Sequence, residues 1–322
     1  MKSLIVVILI FAINSQAVEK LKSYNIDSTQ ITISGVSSGA FMAEQMAVAF
    51  SNTFTGMGSV AGGIYWCSQG SSQKAQTECM GQTISINPQI QIAKATELAS
   101  RGQIDPLVNL RKQKVYIFAS PKDTIIKPPS SDKLYDFVKA FTPEENIVYE
   151  KTQAFAHGFP TLNYGASCTL GFMPWILKCN YDTAGEILKT LHGVTTAPVP
   201  VLEKNLLSYD QTEFGNVQTP LFTTGWIYVS EKCAAQEKCS LHIALHGCQM
   251  NPDYIQDQFA KHTGFNEWAE SNNIIILYPQ SAKMNGNPYA CWDWFGFTGE
   301  DFVTQSGSQM KALKAMVDRL KN

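Results

Sequence analysis

The sequence has little charge and no basic run. Only 16% of its 322 residues are Asp, Glu, Lys or Arg, below the roughly one quarter typical of soluble domains, and the formal net charge is −2. Without a basic patch, the electrostatic basis for binding nucleic acid is absent. The hydrophobic fraction of 44% is ordinary and excludes a disordered chain. The composition therefore predicts a globular protein with no nucleic-acid partner and a surface suited to an uncharged substrate.

The sequence also lacks an apolar run long enough to cross a bilayer. The longest, residues 4–13, is about ten residues, whereas a membrane helix needs roughly 20. It follows Lys2 and precedes the small-x-small sequence Ser15-Gln16-Ala17, which is the layout of a secretory signal peptide; a buried strand is the alternative. We therefore predict a signal peptide over 1–17 and a single domain over 18–322. The protein is expected to be secreted, either extracellular or, in a Gram-negative source, periplasmic.

No cysteine spacing typical of a zinc site occurs: there is no CxxC pair and no cluster of His and Cys. The eight cysteines are an even number, which in an exported protein predicts four disulfides, with buried free thiols as the alternative. Three pairs are close in sequence, and this leaves the last two cysteines for each other. The expected pairs are Cys67–Cys79, Cys168–Cys179, Cys233–Cys239 and Cys248–Cys291.

Short apolar runs alternate with helical patterns along the chain. This alternation predicts an α/β fold with a mostly parallel sheet covered by helices on both faces. The longest helical patterns cover residues 254–271 and 300–321, and residues 193–220 have weak periodicity. No repeat and no linker to an appended module is present.

A GxSxG sequence, Gly35-Val36-Ser37-Ser38-Gly39, separates a strand pattern at 31–34 from a helical pattern. This is the context of a nucleophile elbow, in which glycines allow a sharp turn and the helix start directs N–H groups at developing negative charge. Ser34 and Ser38 carry neighbouring hydroxyls, but only Ser37 stands at the centre of the turn. We therefore predict Ser37 as a nucleophile.

A nucleophilic serine needs a base, and the base needs an orienting carboxylate. In the α/β-hydrolase order, both follow the serine along the chain. Asp123 lies in the loop after the apolar strand VYIFA, and His157 lies in a later loop beside a glycine. We predict these two as acid and base, with solvated loop residues as the alternative. Of the other histidines, His192 lies at a helix end suited to the surface or the helix dipole, and His242 lies in a strand. His246 belongs to a separate motif, and His262 lies on a helix.

The sequence Leu245-His246-Gly247-Cys248-Gln249 follows a strand and resembles the oxyanion turn of lipases and esterases. Such a turn provides one backbone N–H, that of Cys248, beside the N–H that follows the nucleophile, that of Ser38. In the usual order this strand precedes the serine, whereas in this chain it follows His157 by about ninety residues. The order therefore predicts a circularly permuted α/β-hydrolase fold in which residues 193–220 join the original ends.

Seven segments together carry a more specific resemblance: GVSSGAFMA, SVAGG, AHGFPT, GWIYV with the cysteines after it, LHIALHGCQ, IIILYPQ and CWDWFG. They resemble the extracellular poly(3-hydroxybutyrate) depolymerases, in particular the single-domain, circularly permuted type known from fungi, over most of residues 24–322. The resemblance implies a serine esterase that acts on a polyester or its oligomers without metal or cofactor, and we expect a monomer. It also implies the Cys248–Cys291 bridge. The site residues that it implies are a catalytic triad and two oxyanion donors, namely Ser37, Asp123, His157, Ser38 and Cys248.

The aromatic residues of the CWDWF segment have two interpretations. Trp292 and Trp294 could line an apolar ester-binding cleft, or they could pack in the core beside the disulfide. We predict both as substrate-binding residues and expect at least one of them to face the cleft.

Two alternative functions remain open from sequence. A feruloyl or acetylxylan esterase could use the same residues, because fold and triad do not determine the acyl or alcohol group. A non-catalytic polymer-binding or surface-binding protein could retain the elbow as a scaffold.

Overall fold

The structure, a computed structural model, describes residues 18–81 and 85–322. The predicted signal peptide over residues 1–17 lies outside this part of the chain. Within the described ranges, no helix combines the length and the hydropathy required to cross a bilayer.

The strands of the described residues form a large and a small sheet. In chain order they are β1 (Ile26–Val36), β2 (Gly56–Val60), β3 (Lys114–Phe118), β4 (Ile147–Glu150), β5 (Phe159–Thr161), β6 (Ala166–Ser167), β7 (Ile176–Lys178), β8 (Leu206–Asp210), β9 (Thr224–Tyr228), β10 (Cys239–Leu245) and β11 (Ile274–Tyr278). The large sheet has the order β4-β3-β2-β1-β10-β11-β9-β8, and β7 lies between β5 and β6 in the small one. Neighbours from β4 to β11 are parallel, whereas β9 and β8 add an antiparallel edge.

Helices connect these strands. In the described residues the α-helices are α1 (Ser38–Ala49), α2 (Ser72–Lys74), α3 (Pro88–Ser100), α4 (Pro128–Lys139), α5 (Thr183–His192), α6 (Glu231–Ala234), α7 (Pro252–Ile255), α8 (Gln258–His262), α9 (Phe265–Asn272) and α10 (Ser308–Lys321). Apolar residues of α1, α3, α4 and α10 belong to the core on one face of the large sheet, and those of α5, α8 and α9 belong to the core on the other. The apolar runs of the strands are buried on both faces, which explains their continuous rather than alternating hydrophobicity.

The chain order of the strands agrees with the predicted permutation. β10, which leads into the HGC sequence, pairs in parallel with β1, which leads into the GxSxG sequence, although Ile33 and its partner Ile243 are separated by 210 positions. Near the ends of the chain, the Tyr24 N–H donates to the Leu320 carbonyl over 2.8 Å. The C-terminal end of α10 therefore lies beside the start of β1, as it would in a fold where that helix led directly into that strand.

Three elements differ from the sequence-based predictions. The pattern over 254–271 is divided into α7, α8 and α9, because Gln256 has a φ of 54° and Gly264 a φ of 92°, and neither value continues a helix. The final helix begins at Ser308 instead of residue 300. Residues 193–220 contain an edge strand, β8, which depends on its pairing with β9 and has only weak local periodicity.

All eight cysteines form disulfides, and the four pairs are the expected ones: Cys67–Cys79, Cys168–Cys179, Cys233–Cys239 and Cys248–Cys291. The last pair has the largest sequence separation, 43 positions, and joins the loop after β10 to the CWDWF segment.

Candidate active site

The GxSxG sequence forms a strained turn between β1 and α1. Ser37 has φ 56° and ψ −122°, a conformation that non-glycine residues rarely adopt. Its N–H donates to the Val60 carbonyl of β2 over 2.9 Å, so the turn is anchored to the neighbouring strand. The next residue, Ser38, begins α1, and its backbone N–H is therefore one of the free donors of the first helical turn. This is the geometry predicted for a nucleophile elbow.

Both glycines of the motif are required by close packing. A Cβ atom on Gly35 would lie 2.3 Å from the Gly39 carbonyl carbon, and one on Gly39 would lie 2.4 Å from the His246 carbonyl oxygen. The second distance also shows that the first turn of α1 rests directly against the HGC turn. The motif therefore shapes the elbow and brings the two candidate oxyanion donors together.

Asp123 and His157 form a hydrogen-bonded pair, although 34 positions separate them. The His157 Nδ1–H donates to Asp123 Oδ2 over 2.7 Å, and both side chains are buried. Asp123 Oδ1 accepts the N–H groups of Ile125 and Ile126 at 2.8 and 2.9 Å, which fixes the carboxylate in the loop after β3. With Nδ1 bound to the carboxylate, Nε2 is the nitrogen of His157 left to accept a proton.

The HGC turn lies beside the elbow. A Cβ atom on Gly247 would be 3.2 Å from Ser37 Cβ, so the backbone of the turn passes next to the candidate nucleophile. Within the described residues, no acceptor binds the Cys248 N–H. The disulfide to Cys291 fixes the turn to the CWDWF loop. These positions bring together the residues predicted as nucleophile and oxyanion donors.

Asp293 organises the CWDWF loop, a role that the sequence analysis missed. Its buried carboxylate accepts the backbone N–H groups of four residues, at 2.6 to 3.3 Å, and the Thr298 hydroxyl. Burial nevertheless raises its pKa above the ordinary value. An Asp followed within five residues by aromatic residues, glycine and threonine is the signal that could have indicated such a turn.

The two tryptophans of this loop differ in position. Trp294 lines the cavity next to Ser37 and stacks on Phe41, with ring centroids 4.8 Å apart. Trp292 is completely buried, packs against the His246 ring at 5.5 Å and does not line the cavity. The prediction that Trp292 binds substrate is therefore withdrawn, because its fully buried ring packs against His246 and is not among the residues that line the cavity.

A cavity of about 630 Å³ connects these groups. Ser37, Ser38, His157 and Cys248 all line it. No Asp, Glu, Lys or Arg is among its lining residues in the described part of the chain. Its walls are mostly apolar, including Phe41, Met80, Ile126, Trp175, Trp294 and Phe295. Such a pocket accommodates an uncharged substrate with apolar substituents.

Trp175 is a cavity residue that sequence reasoning did not identify. It lies within the loop closed by the disulfide Cys168–Cys179, and its ring meets that of His157 edge-on at 5.9 Å. Its carbonyl accepts the Phe159 N–H over 2.7 Å, which ties this loop to the strand after His157. Two aromatic residues between closely spaced cysteines, Phe172 and Trp175, were the available signal.

Metal chemistry has no candidate centre in the described residues. Residues 18–81 and 85–322 contain no group of three or more His, Cys, Asp or Glu side chains that could hold an ion.

Comparisons with known proteins agree on one family. Residues 226–321 match the family model described as "Esterase PHB depolymerase". The chain is 40% identical over 309 residues to a poly(3-hydroxybutyrate) depolymerase of Delftia acidovorans, covering 94% of this chain and 62% of that protein. It is 36% identical over 323 residues to a polyhydroxybutyrate depolymerase of Talaromyces funiculosus, covering 94% of this chain and 93% of that protein. The chain thus spans less than two thirds of the first relative and nearly all of the second.

A solved structure gives the same result for the fold. A PHB depolymerase complexed with an R3HB trimer matches this structure with a TM-score of 0.88 and 34% sequence identity, over 94% of this chain and 98% of that one. The predicted α/β-hydrolase class is confirmed by this match and by the mostly parallel eight-stranded sheet.

Proposed function

Because this chain belongs to the PHB depolymerase esterase family, we propose that it is a serine esterase that hydrolyses the ester bonds of poly(3-hydroxybutyrate) or its oligomers. The observation that carries this proposal is the common cavity that Ser37 and His157 line, with Asp123 bound to the far nitrogen of the histidine. A serine, a base and an orienting acid in this relation are the requirements of acyl transfer.

The reaction begins with attack by Ser37 Oγ on the ester carbonyl carbon. His157 Nε2 accepts the serine proton, and Asp123 stabilises the resulting imidazolium through the 2.7 Å hydrogen bond to Nδ1. The turn places Ser37 in the wall of the cavity that His157 also lines.

The oxyanion of the tetrahedral intermediate accepts the backbone N–H groups of Ser38 and Cys248. Both residues line the cavity, one at the first turn of α1 and the other in the HGC turn. The protonated His157 then donates to the departing alkoxide and leaves an acyl-enzyme. Water, activated by the same imidazole, attacks this ester and releases the hydroxy acid.

The cavity walls support an uncharged polyester as substrate. A hydroxybutyrate unit presents a methyl group and an ester and carries no charge along the chain, and no charged carboxylate, ammonium or guanidinium group lines the described cavity. The neighbouring PHB depolymerase structure contains an R3HB trimer, which is an oligomer of that kind. We assign Trp294 as a substrate-contacting residue on its position in this wall.

The proposal includes the setting of the enzyme. Four disulfides are suited to an oxidising compartment, which supports export directed by a signal peptide over residues 1–17. The catalytic domain then covers residues 18–322. All of the proposed catalytic groups come from a single chain, so a monomer contains a complete site.

The test is release of soluble 3-hydroxybutyrate from a suspension of the polymer by residues 18–322. Ser37→Ala is the inactive comparison. Ser100→Ala, an exposed serine at the end of α3, is the matched control for replacing a hydroxyl. We expect release by the unaltered protein and by Ser100→Ala, and none by Ser37→Ala.

A short-chain p-nitrophenyl ester separates the reaction from the substrate. If it is cleaved in a Ser37-dependent way while the polymer and its oligomers are not, the triad stands and the polyester assignment fails. If neither is cleaved by correctly folded protein, the proposed function is wrong.

A further inference from the structure

The HGC turn contains a histidine that does not reach the cavity. His246 is completely buried and is absent from the cavity lining. Its Nδ1 lies 2.7 Å from the Gly247 carbonyl oxygen, and its Nε2 lies 3.1 Å from the Ser281 N–H. Since Ser281 N–H is a donor, Nε2 must be the acceptor, and the proton of the neutral ring is on Nδ1. The imidazole therefore donates to the carbonyl of the following residue.

That carbonyl belongs to the same peptide unit as the Cys248 N–H. A trans peptide is planar, and its C=O and N–H point in opposite directions. Fixing the Gly247 carbonyl on the His246 ring therefore fixes the direction of the Cys248 N–H on the opposite side of the plane. The Gly247 backbone already passes beside Ser37, and no other acceptor binds this N–H within the described residues.

We propose that His246 is a positioning residue for ester hydrolysis, which holds the Gly247–Cys248 peptide so that its N–H is directed at the oxyanion. The proposal rests on the esterase function proposed above, because it assigns a role in that reaction. His246 contacts neither Ser37 nor the substrate, and acts only through the backbone of the turn. The Cys248–Cys291 disulfide fixes where the turn lies, whereas His246 fixes how its peptide is rotated.

The surroundings of His246 keep the ring in the form that this role requires. Burial lowers its pKa to about 4, so it is neutral at neutral pH. The Trp292 ring packs against it at 5.5 Å and the Phe259 ring at 6.2 Å, which holds the plane of the imidazole. Trp292 thereby has a place in the site without reaching substrate: it supports the histidine that orients the donor.

Two polar replacements of similar size distinguish this role from general packing. His246→Asn places its amide N–H₂ near the position of Nδ1 and can still donate to the Gly247 carbonyl. His246→Gln places its amide near Nε2, where it can pair with Ser281 but not with that carbonyl. We expect His246→Gln to lower kcat on a soluble p-nitrophenyl ester by about 10²–10³-fold, as loss of an oxyanion donor does, with KM nearly unchanged. His246→Asn is expected to retain most of the kcat.

The second readout is affinity for an alkyl boronic acid, which forms a tetrahedral adduct with the serine. Its Kd should rise in His246→Gln by a factor similar to the fall in kcat, because the adduct uses the same oxyanion donors. His242→Leu is the control, since it removes another fully buried histidine of the same β10 region but one that contacts Thr32 and Ser34. We expect His242→Leu to be less stable, with unchanged kcat for the folded protein.

Equal kcat and boronate affinity in folded His246→Gln and the unaltered protein would overturn the positioning role. A fall in His246→Asn as large as that in His246→Gln would overturn it too, since Asn retains the donor. Failure of the esterase proposal is distinguishable, because the unaltered protein would then cleave neither ester nor polymer.

Discussion

Two serines that are close in sequence, Ser34 and Ser37, each belong to a set of serine and histidine side chains in the described residues, and we propose only the second set for catalysis. Ser34 and His242 lie on neighbouring strands, with Ser34 Oγ 2.8 Å from His242 Nε2. Ser37, three positions later, lines a cavity with His157. Measured by serine–histidine hydrogen bonding alone, the Ser34 set is well formed. The comparison shows that such a contact by itself does not indicate a nucleophile.

What differs is the environment of each pair. His242 Nδ1 is bound by the Thr32 hydroxyl, whereas His157 Nδ1 is bound by the carboxylate of Asp123. A hydroxyl cannot stabilise an imidazolium as a carboxylate does, so His242 has no partner that would stabilise its protonated form. The complete burial of His242 also lowers its pKa well below the ordinary value, which favours the neutral ring. The Ser34 set therefore joins β1 to β10, whereas the Ser37 set has the histidine–carboxylate pair that the proposed proton transfer requires.

Backbone geometry separates the two serines as well. Ser34 lies inside β1, opposite Ala244 and Gly58, and is completely enclosed by the sheet and by α5. Ser37 stands just beyond the strand in a strained turn. The proposed catalytic serine is therefore distinguished by its access to the cavity and by the carboxylate bound to its histidine, more than by serine–histidine proximity.

The largest expected effect is the difference between replacing Ser37 and replacing Ser34. Ser37→Ala should lower kcat on a p-nitrophenyl ester by about 10⁶-fold, because it removes the attacking atom. Ser34→Ala should leave kcat within about threefold and lower stability by about 1 kcal/mol through loss of one buried hydrogen bond. Steady-state kinetics and urea unfolding measure the two effects. A large loss of kcat in Ser34→Ala would remove the distinction between the sets.

Asp123→Asn should lower kcat by about 10⁴-fold, because an amide neither holds the Nδ1–H tautomer of His157 nor stabilises its cation. The measurement is the pH profile of kcat/KM from pH 5 to 9. Asp182→Asn is the matched control: this carboxylate caps α5 and accepts the Trp268 Nε1–H, so its loss should affect stability and not turnover. Comparable turnover in the two variants would contradict the assignment of Asp123.

The two tryptophans of the CWDWF loop should separate stability from substrate binding. Trp292→Ala should lower the free energy of unfolding by about 3–5 kcal/mol, as large core truncations do. Trp294→Ala should mainly raise KM for hydroxybutyrate oligomers, because its ring faces the cavity. Chemical denaturation and oligomer kinetics give the two results. A raised KM with full stability in Trp292→Ala would restore it as a substrate-binding residue.

The most gradual effect is the dependence of stability on pH that arises from histidines whose pKa values are lowered by burial. Burial lowers the pKa of His192 to about 4 and that of His242 well below its ordinary 6.5, whereas both take up protons near 6.5 when the chain unfolds. Their contribution to the free energy of unfolding is therefore complete above pH 6.5 and decreases as the pH falls from there to about 4. Each histidine should contribute up to about 1.4 kcal/mol per pH unit.

Urea unfolding between pH 7.5 and 4.5 tests this dependence. His242→Leu should be less stable at every pH but should show a shallower slope than the unaltered protein. An equal slope in both would show that other groups cause the acid sensitivity.

The sequence predicted a candidate elbow, acid, base and oxyanion turn from short patterns and from their order along the chain, and Ser37, Ser38, His157 and Cys248 line one cavity. The GxSxG glycines are an example: a Cβ atom at Gly35 or Gly39 would lie 2.3–2.4 Å from backbone atoms, and both glycines can be read directly from the sequence. The position of His192 could not be predicted from the sequence. Expected at the surface or as a partner of the helix dipole, His192 is half-buried in the last turn of α5, with Nε2 hydrogen-bonded to the Thr32 hydroxyl. That contact joins residues 160 positions apart and depends on how α5 lies on the sheet.

Other differences have the same origin. β8 exists through pairing with β9, and the division of the 254–271 pattern depends on a positive φ at Gln256, a residue type with no preference for it. The direction of Trp292 and Trp294 depends on the turn that Asp293 stabilises. Tertiary context decides each of these features, while local chemistry decides the motifs.

The position of β1 between β2 and β10 has a consequence for how the protein is made. The candidate nucleophile is synthesised within the first 37 residues, whereas its strand partner β10 and the Cys248 donor follow about 200 residues later. Until then, one edge of β1 is unpaired and one of the two proposed oxyanion donors has not been synthesised. Such distant pairings slow folding and expose strand edges. A site that combines Ser37 with Cys248 therefore cannot form until at least 248 residues of the chain have been synthesised.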